Sequence, residues 1–170
     1  MNNFTLKKSF YTHADTLGIA RALLGKKLMT SFEGKVTAGI ICETEAYCGV
    51  EDRGCHAYNG RFTERTKIMY AEGGVSYVYL CYGVHYLFNV VTHVAGQPQA
   101  VLIRSIEPTE GIPTMLEIRN LTQFTPGIGA GPGLVTQCLG LTTKHNGLSL
   151  LGQDIRICDA APINPKQIVA

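Results

Sequence analysis

The segment Glu43-Thr44-Glu45-Ala46-Tyr47 carries two acids and a phenol at alternate positions. In an extended strand, residues i, i+2 and i+4 line one face, so both carboxylates and the phenol project together. Burying such a face costs free energy unless it lines a polar pocket. A carboxylate held there can take a proton from water and stabilise positive charge that develops nearby. Taken alone, the pentapeptide also fits a solvent-facing strand edge.

A set of flat side chains extends the pattern. Tyr77 and Tyr79 share one face of their strand, Tyr82 lies beside a break at Gly83, and His56 follows the acidic stretch 43–52. Planar rings near a carboxylate are what a slot for a planar heterocycle requires: surfaces to sandwich it and an acid or base to act on it. Each tyrosine taken singly is also an ordinary strand residue. The glycine-rich run 127–133 lacks the Lys-Ser/Thr ending of a P-loop and reads as a turn before a helix. Its backbone amides could meet a phosphate at the helix start.

The elements that must position these residues follow from spacing. Asp15 is placed to cap a helix over 15–24, with Leu17, Ala20 and Leu24 at helical spacing and Gly25 to end it. Segments 27–32 and 36–42 read as a hairpin around Glu33-Gly34, and 43–47 continues or closes the second strand. Residues 49–60 read as loop or short helix. The region 75–91, interrupted at Gly83, is the most β-like stretch, and 100–106 is a further buried strand. A helix is expected over 110–121 with Pro113 in its first turn, a second over 134–141, and a short strand over 155–158. This order predicts an α+β fold with a largely antiparallel sheet, and the βαβ alternation of a dinucleotide-binding fold is missing.

A chain of 170 residues, 45% hydrophobic and 16% charged, fits one folded domain and excludes intrinsic disorder. The net charge of +2 is too small to identify a nucleic-acid binder by itself. Its distribution is uneven: Lys7, Lys8, Arg21, Lys26, Lys27 and Lys35 fall in the first forty residues, and Glu43, Glu45, Glu51 and Asp52 cluster after them. No apolar run approaches the roughly 20 residues of a membrane span. Residues 1–10 lack the apolar segment of a secretory signal. The six cysteines (Cys42, Cys48, Cys55, Cys81, Cys138, Cys158) include no C-x-x-C pair and read as reduced, mostly buried thiols of a cytoplasmic protein. The spacing of Cys48, Cys55 and His56 does not fit common structural zinc sites.

The strings ICETEAY, GVEDRGCHAYNGR, SYVYLCYGVHYLFNVV and VLIRSIEPTEG, in that order, closely resemble the alkyladenine (3-methyladenine) DNA glycosylase family. The opening DTLGIARALLGKKL and the later GAGPGLVTQCLGL are similar to it too, so the resemblance runs from Phe4 to Val169. It implies one mixed α+β domain over 1–170, a curved, largely antiparallel sheet flanked by helices. It also implies excision of alkylated purines, with hypoxanthine as a further substrate, from duplex DNA by a monomer with no metal, no cofactor and no membrane. The compartment implied is the cytoplasm, at the nucleoid if the source is bacterial. By resemblance Glu45 activates the attacking water, and Arg104 orients that water and the nearby phosphate. Tyr47, His56 and Tyr79 would line the slot for the flipped base, Asn89 would read its edge, and Tyr82 would enter the duplex in its place.

No lysine occurs in 36–66, so hydrolysis without a lyase step is expected. Members of the family continue with a further strand and a basic, aromatic tail, which would lie beyond Ala170. Leu134 stands where a lysine is usual, and Glu64 and Thr66 stand where proline and a polar amide are common. Two other readings remain open on the residues: a weak homologue that binds damaged DNA without efficient excision, and a small-molecule or thiol protein using Cys81 or the Cys48/Cys55/His56 group. For single residues, Glu43 is expected to pair with a basic or backbone group, and His85 to be hydrogen-bonded in its strand. Arg104 also fits as an ion-pair partner of Glu107 or Glu45. Arg53, Arg61, Arg65 and Lys67 form either a solvated face or a phosphate-binding one.

Overall fold

A computed structural model describes residues 4–161 and 163–169. The chain opens with a single helical turn, α1 (Lys8–Tyr11), and the helix α2 (Thr16–Leu23). Asp15 caps α2 by accepting from the Gly18 amide at 2.9 Å, and Gly25 leaves it at φ +77°. The hairpin β1 (Lys27–Phe32) and β2 (Lys35–Tyr47) follows. Both residues of its Glu33-Gly34 turn have positive φ, the geometry that matches strand twist. Three short 3-10 turns over 49–70 lead into β3 (Ser76–Cys81), β4 (His85–Thr92) and β5 (Gln99–Glu110). Then come α3 (Ile112–Ile118), α4 (Pro132–Cys138) and β6 (Ile155–Cys158).

Among the described residues six strands form one curled sheet in the order β3-β4-β5-β2-β1-β6, with every neighbouring pair antiparallel. The fold is the α+β class expected. Strand alternation divides the core. Val78, Phe88, Val90, Val101 and Ile103 face one side, where they meet Leu23 of α2, Met115 of α3 and Val135 of α4. Tyr77, Tyr79, Leu87, Val91, Ala100 and Leu102 face the other, where the 49–70 segment covers them with Cys55, Ala57 and Met69. The tyrosine face is therefore roofed by turns, and turns can open locally at lower cost than packed helices. No described helix is long and apolar enough to cross a membrane.

Two helices depart from expectation. The segment expected to begin a helix at 110 is still strand, because β5 pairs with β2 through Pro108 and Glu110, and Glu110 also pairs with Lys27. The helix starts only after Gly111 (φ +72°), where a Cβ would lie 2.1 Å from the Val36 carbonyl oxygen. The last helix begins at Pro132 rather than 134, since proline suits the first helical position. It stops at Cys138, where Gly140 turns left-handed and the Leu141 amide donates back to the Thr136 carbonyl at 2.8 Å. The glycine-rich run is accordingly part 3-10 turn (Pro126–Gly129) and part helix start.

One buried polar atom stands out. Tyr11 is fully buried and its hydroxyl has no hydrogen-bond partner among the described residues, and burial raises its ionisation well above the ordinary phenol range. Tyr11→Phe removes an unsatisfied group and leaves no cavity. It is expected to leave stability unchanged or raise it by up to about 1 kcal/mol, read from urea denaturation midpoints.

Candidate active site

Two irregularities in the β2–β5 ladder set the acidic face. Ile41 pairs with Ile106 and Glu43 with Ser105, so Cys42 is skipped on β2. Thr44 then pairs with Ile103, so Arg104 is skipped on β5. Bulges of this kind re-aim side chains. Here the unpaired Arg104 bridges both acids: Nε donates to Glu43 Oε1 at 2.9 Å and Nη1 to Glu45 Oε2 at 2.5 Å. The hydrogen bond donated to Glu43, followed by the charge of Glu45, raises Arg104 above its ordinary range. Glu43, Glu45 and Tyr47 project to one side. The Tyr47 hydroxyl is raised by burial first and by the neighbouring Glu45 carboxylate second, so it stays neutral beside that carboxylate. Arg104 meets Glu45 and Glu43, and Glu107 is not its partner.

Beside this clamp lies a cleft lined by Tyr47, Gly54, His56, Met69, Tyr77, Tyr79 and Asn89. It is nearly shut, with room inside for about one water molecule. The His56 and Tyr79 rings pack edge to face, with centroids 4.8 Å apart at 71°, and the Tyr77 and Tyr79 rings are tilted, 5.1 Å apart at 34°. His56 Nδ1 lies 2.8 Å from the Tyr77 hydroxyl. Asn89 is 1% exposed, and its Nδ2 donates to the Tyr77 carbonyl at 3.1 Å, which fixes the amide's orientation. Burial, chiefly, pushes Tyr79 up to about 12. Burial, then the charges of Arg65 and Arg61, lowers His56 below its ordinary range.

His56 is therefore neutral at pH 7. A lowered folded value contributes stability that is present above the unfolded pKa near 6.5 and is lost as pH falls through the folded one. In an NMR titration the His56 ring is expected to show its midpoint below about 6.5. A His56 midpoint at or above that value would contradict the burial argument.

Tyr82 lies outside the cleft, at the tip of the β3–β4 hairpin, and is 98% exposed. It holds φ +50° and Gly83 φ +72°, closed by the Val84 amide donating to the Cys81 carbonyl at 3.1 Å. A bulky residue in the left-handed region is strained, and such strain clusters at functional positions.

Gly54, Met69 and Tyr77 line the cleft in addition to the residues that the resemblance assigns to it. Tyr77 was detectable as the same-face neighbour of Tyr79; Gly54 and Met69 carry no chemical signature. His85 is a strand residue as expected, opening β4 opposite Cys81, and it is exposed with its ring against Gly133. Of the six free cysteines, Cys55, Cys138 and Cys158 are buried, while Cys42 and Cys48 are exposed, so half rather than most are interior. Among the described residues no group of three His, Cys, Asp or Glu is placed to hold a metal ion. A larger hollow of about 460 Å³ lies between α2, β2 and residues 163–169. Leu17, Leu24, Ile40 and Ile168 give it apolar walls, and the rings and Glu45 are not among its lining residues.

The chain matches the methylpurine-DNA glycosylase (MPG) family over residues 9–170 and belongs to that family, which makes it a DNA-repair glycosylase. Named relatives agree. A Chlamydia felis (strain Fe/C-56) protein called "Putative 3-methyladenine DNA glycosylase" is 49% identical over 154 residues, 89% of this chain and 79% of its own length. Proteins of the same name from Bacillus cereus (strain G9842) and Desulfitobacterium hafniense (strain Y51) are 44% and 42% identical. They cover 88% and 91% of this chain and 75% and 79% of their own lengths.

Proposed function

We propose that this chain flips an alkylated purine of the 3-methyladenine type, and also hypoxanthine, out of duplex DNA and hydrolyses its N-glycosidic bond as a monofunctional, monomeric single-domain enzyme. The observation that carries the reading is the Glu45 carboxylate, held by Arg104 beside a cleft walled by Tyr47, His56 and Tyr79. Glu45 takes the proton of a water whose oxygen attacks the sugar C1′. The C1′–N bond breaks with its electrons going to the departing base. The carboxylate also stabilises positive charge developing on the sugar.

The walls suit such a guest. A cationic purine is a good leaving group and is attracted to ring faces. Tyr79 and His56 are neutral at pH 7 and present no opposing charge of their own. A purine is far larger than the one water the closed cleft admits, so Tyr47 and the 49–70 turns must part before it seats. Stacking of roughly 1–3 kcal/mol per base offsets the few kcal/mol of extrusion. Asn89, pinned across the β3–β4 pair, meets the base edge.

Charge placement supports duplex binding by the cleft face. Lys8, Lys26, Lys27 and Lys35 are each paired with an acid, Glu72, Asp159, Glu110 and Glu117. Arg53, Arg61 and Arg65 near the cleft are exposed and have no acidic partner among the described residues, leaving them for phosphates. Lys67 is held by Glu64, so neither lysine bordering 36–66 is free to form a Schiff base. The test is a duplex carrying one alkylated purine: free base is released, and the strand breaks only after alkali. Breakage without alkali, trapped by borohydride, would overturn the monofunctional reading.

Tyr82→Asn separates stability from activity at the hairpin tip. It supplies the Asn-Gly pair that such turns favour and relieves a left-handed tyrosine, so stability is expected to rise by about 1 kcal/mol. Excision from duplex DNA falls about tenfold as the ring that fills the vacated space is lost. Thermal melting and single-turnover release, run side by side, check both signs.

A further inference from the structure

Tyr77 and Tyr79 line two hollows. The cleft already described holds Tyr47, His56, Met69 and Asn89 on one side of them. On the other side an open hollow of about 260 Å³ is lined by Arg65, Val78, Leu80, Thr143 and Asn146. The two tyrosines are thus a shared wall, and Arg65 belongs to the outer hollow. Its guanidinium carbon sits 4.5 Å from the Tyr79 ring centroid, the position of a cation–π contact.

The placement of Arg65 is built by its loop. Thr66 is buried and donates to the Arg61 carbonyl at 2.9 Å while accepting from the Thr63 amide at 2.9 Å, which closes the turn that presents Arg65. The adjacent acid, Glu64, is taken by Lys67 at 2.5 Å, so the charge behind the ring is not neutralised by its neighbour. Beyond the ring, the charge of Arg65 also opposes the upward push of burial on the Tyr77 hydroxyl, which in turn lies against His56 Nδ1.

We infer that Arg65 is a specificity-determining positioning residue that acts through Tyr79, biasing the slot away from cationic bases and toward neutral ones. This rests on the base-slot reading of the cleft. An aromatic ring offers negative potential on both faces. A guanidinium on the outer face draws on that density and adds repulsion across the ring, so the inner face attracts a second cation less. A neutral purine stacks mainly by dispersion and loses little. Arg65 therefore lowers the advantage that a charged lesion enjoys over an uncharged one, without touching either.

The experiment measures single-turnover release from two duplexes, one with 7-methylguanine, a fixed cation, and one with hypoxanthine, a neutral base. Wild type, Arg65→Gln and Arg65→Lys are compared, and the readout is the ratio of the two rates. Arg65→Gln is expected to raise the cation-to-neutral ratio roughly two- to fivefold, the size of a surface cation–π term. Arg65→Lys, which keeps a charge over the ring, returns the ratio toward wild type. If both rates fall by the same factor in Arg65→Gln, Arg65 only grips phosphate and the inference fails while the base slot stands. An unchanged ratio overturns it equally. If wild type releases neither base, the base-slot reading fails and the inference with it.

Discussion

Glu45→Gln is expected to lower single-turnover base release by roughly 10²–10⁴-fold, the range lost with a general base, while selective binding to damaged duplex persists. The substitution isolates charge from shape. A glutamine carbonyl oxygen can still accept from Arg104 Nη1, the partner that holds the native side chain. The cleft walls do not include Glu45, so the ring packing is left in place. What disappears is the proton acceptor for water and the negative charge beside the sugar. Binding by gel shift at fixed salt should therefore stay within a few-fold of wild type. Release at the wild-type rate would show that another group activates the water and would remove the basis of the proposed mechanism. Loss of binding together with release would point instead to a structural role for the carboxylate.

The parts of this site that reading along the chain could reach are those encoded within one element. Asp15 as a cap, the Glu33-Gly34 turn, the alternation of Tyr77 and Tyr79, and the common face of Glu43, Glu45 and Tyr47 all depend on local period and turn chemistry, and all are present in the structure. The Arg104 clamp depends on how two strands some sixty residues apart pair, and specifically on where two bulges fall. Alternation alone does not locate a skipped residue, so Arg104 could be assigned a partner at Glu45 or Glu107 but not both Glu43 and Glu45. The same pairing carried β5 through Pro108 to Glu110 and displaced a helix start that local signals favoured. Arg65 was visible only as one of several cations. Its station behind Tyr79 comes from hydrogen bonds of Thr66 inside an irregular turn, where no periodicity operates. Met69 and Gly54 line the cleft because the 49–70 turns roof the sheet, a matter of tertiary packing.

Arg104→Ala is the second large effect. Arg104 holds two carboxylates on one face of β2, and removing it leaves Glu43 and Glu45 as like charges with nothing between them. Repulsion and lost hydrogen bonds free Glu45 to turn toward solvent, and a small displacement of a reacting group costs about 10²-fold in rate. Folding stability should change by less than about 1 kcal/mol, because the guanidinium and both acids are partly exposed and solvent screens the pair. The diagnostic is coupling with Glu43. If Arg104 acts only by positioning Glu45, then Glu43→Gln in the Arg104→Ala background relieves the repulsion and recovers part of the lost rate. The same Glu43→Gln change in wild type removes one of the two anchors of Arg104 and should slow release modestly. A double-mutant cycle with opposite signs in the two backgrounds, coupled by roughly 0.5–3 kcal/mol, is the expected result. Additive losses would mean that Arg104 meets the DNA or the water directly, since a contact of that kind vanishes with the guanidinium whatever stands at position 43. Arg104→Lys sharpens the distinction: a single ammonium can approach one carboxylate but lacks the planar fork that bridges two. Release in that variant should fall between wild type and Arg104→Ala, and adding Glu43→Gln should bring it closer to wild type by leaving the ammonium one acid to hold.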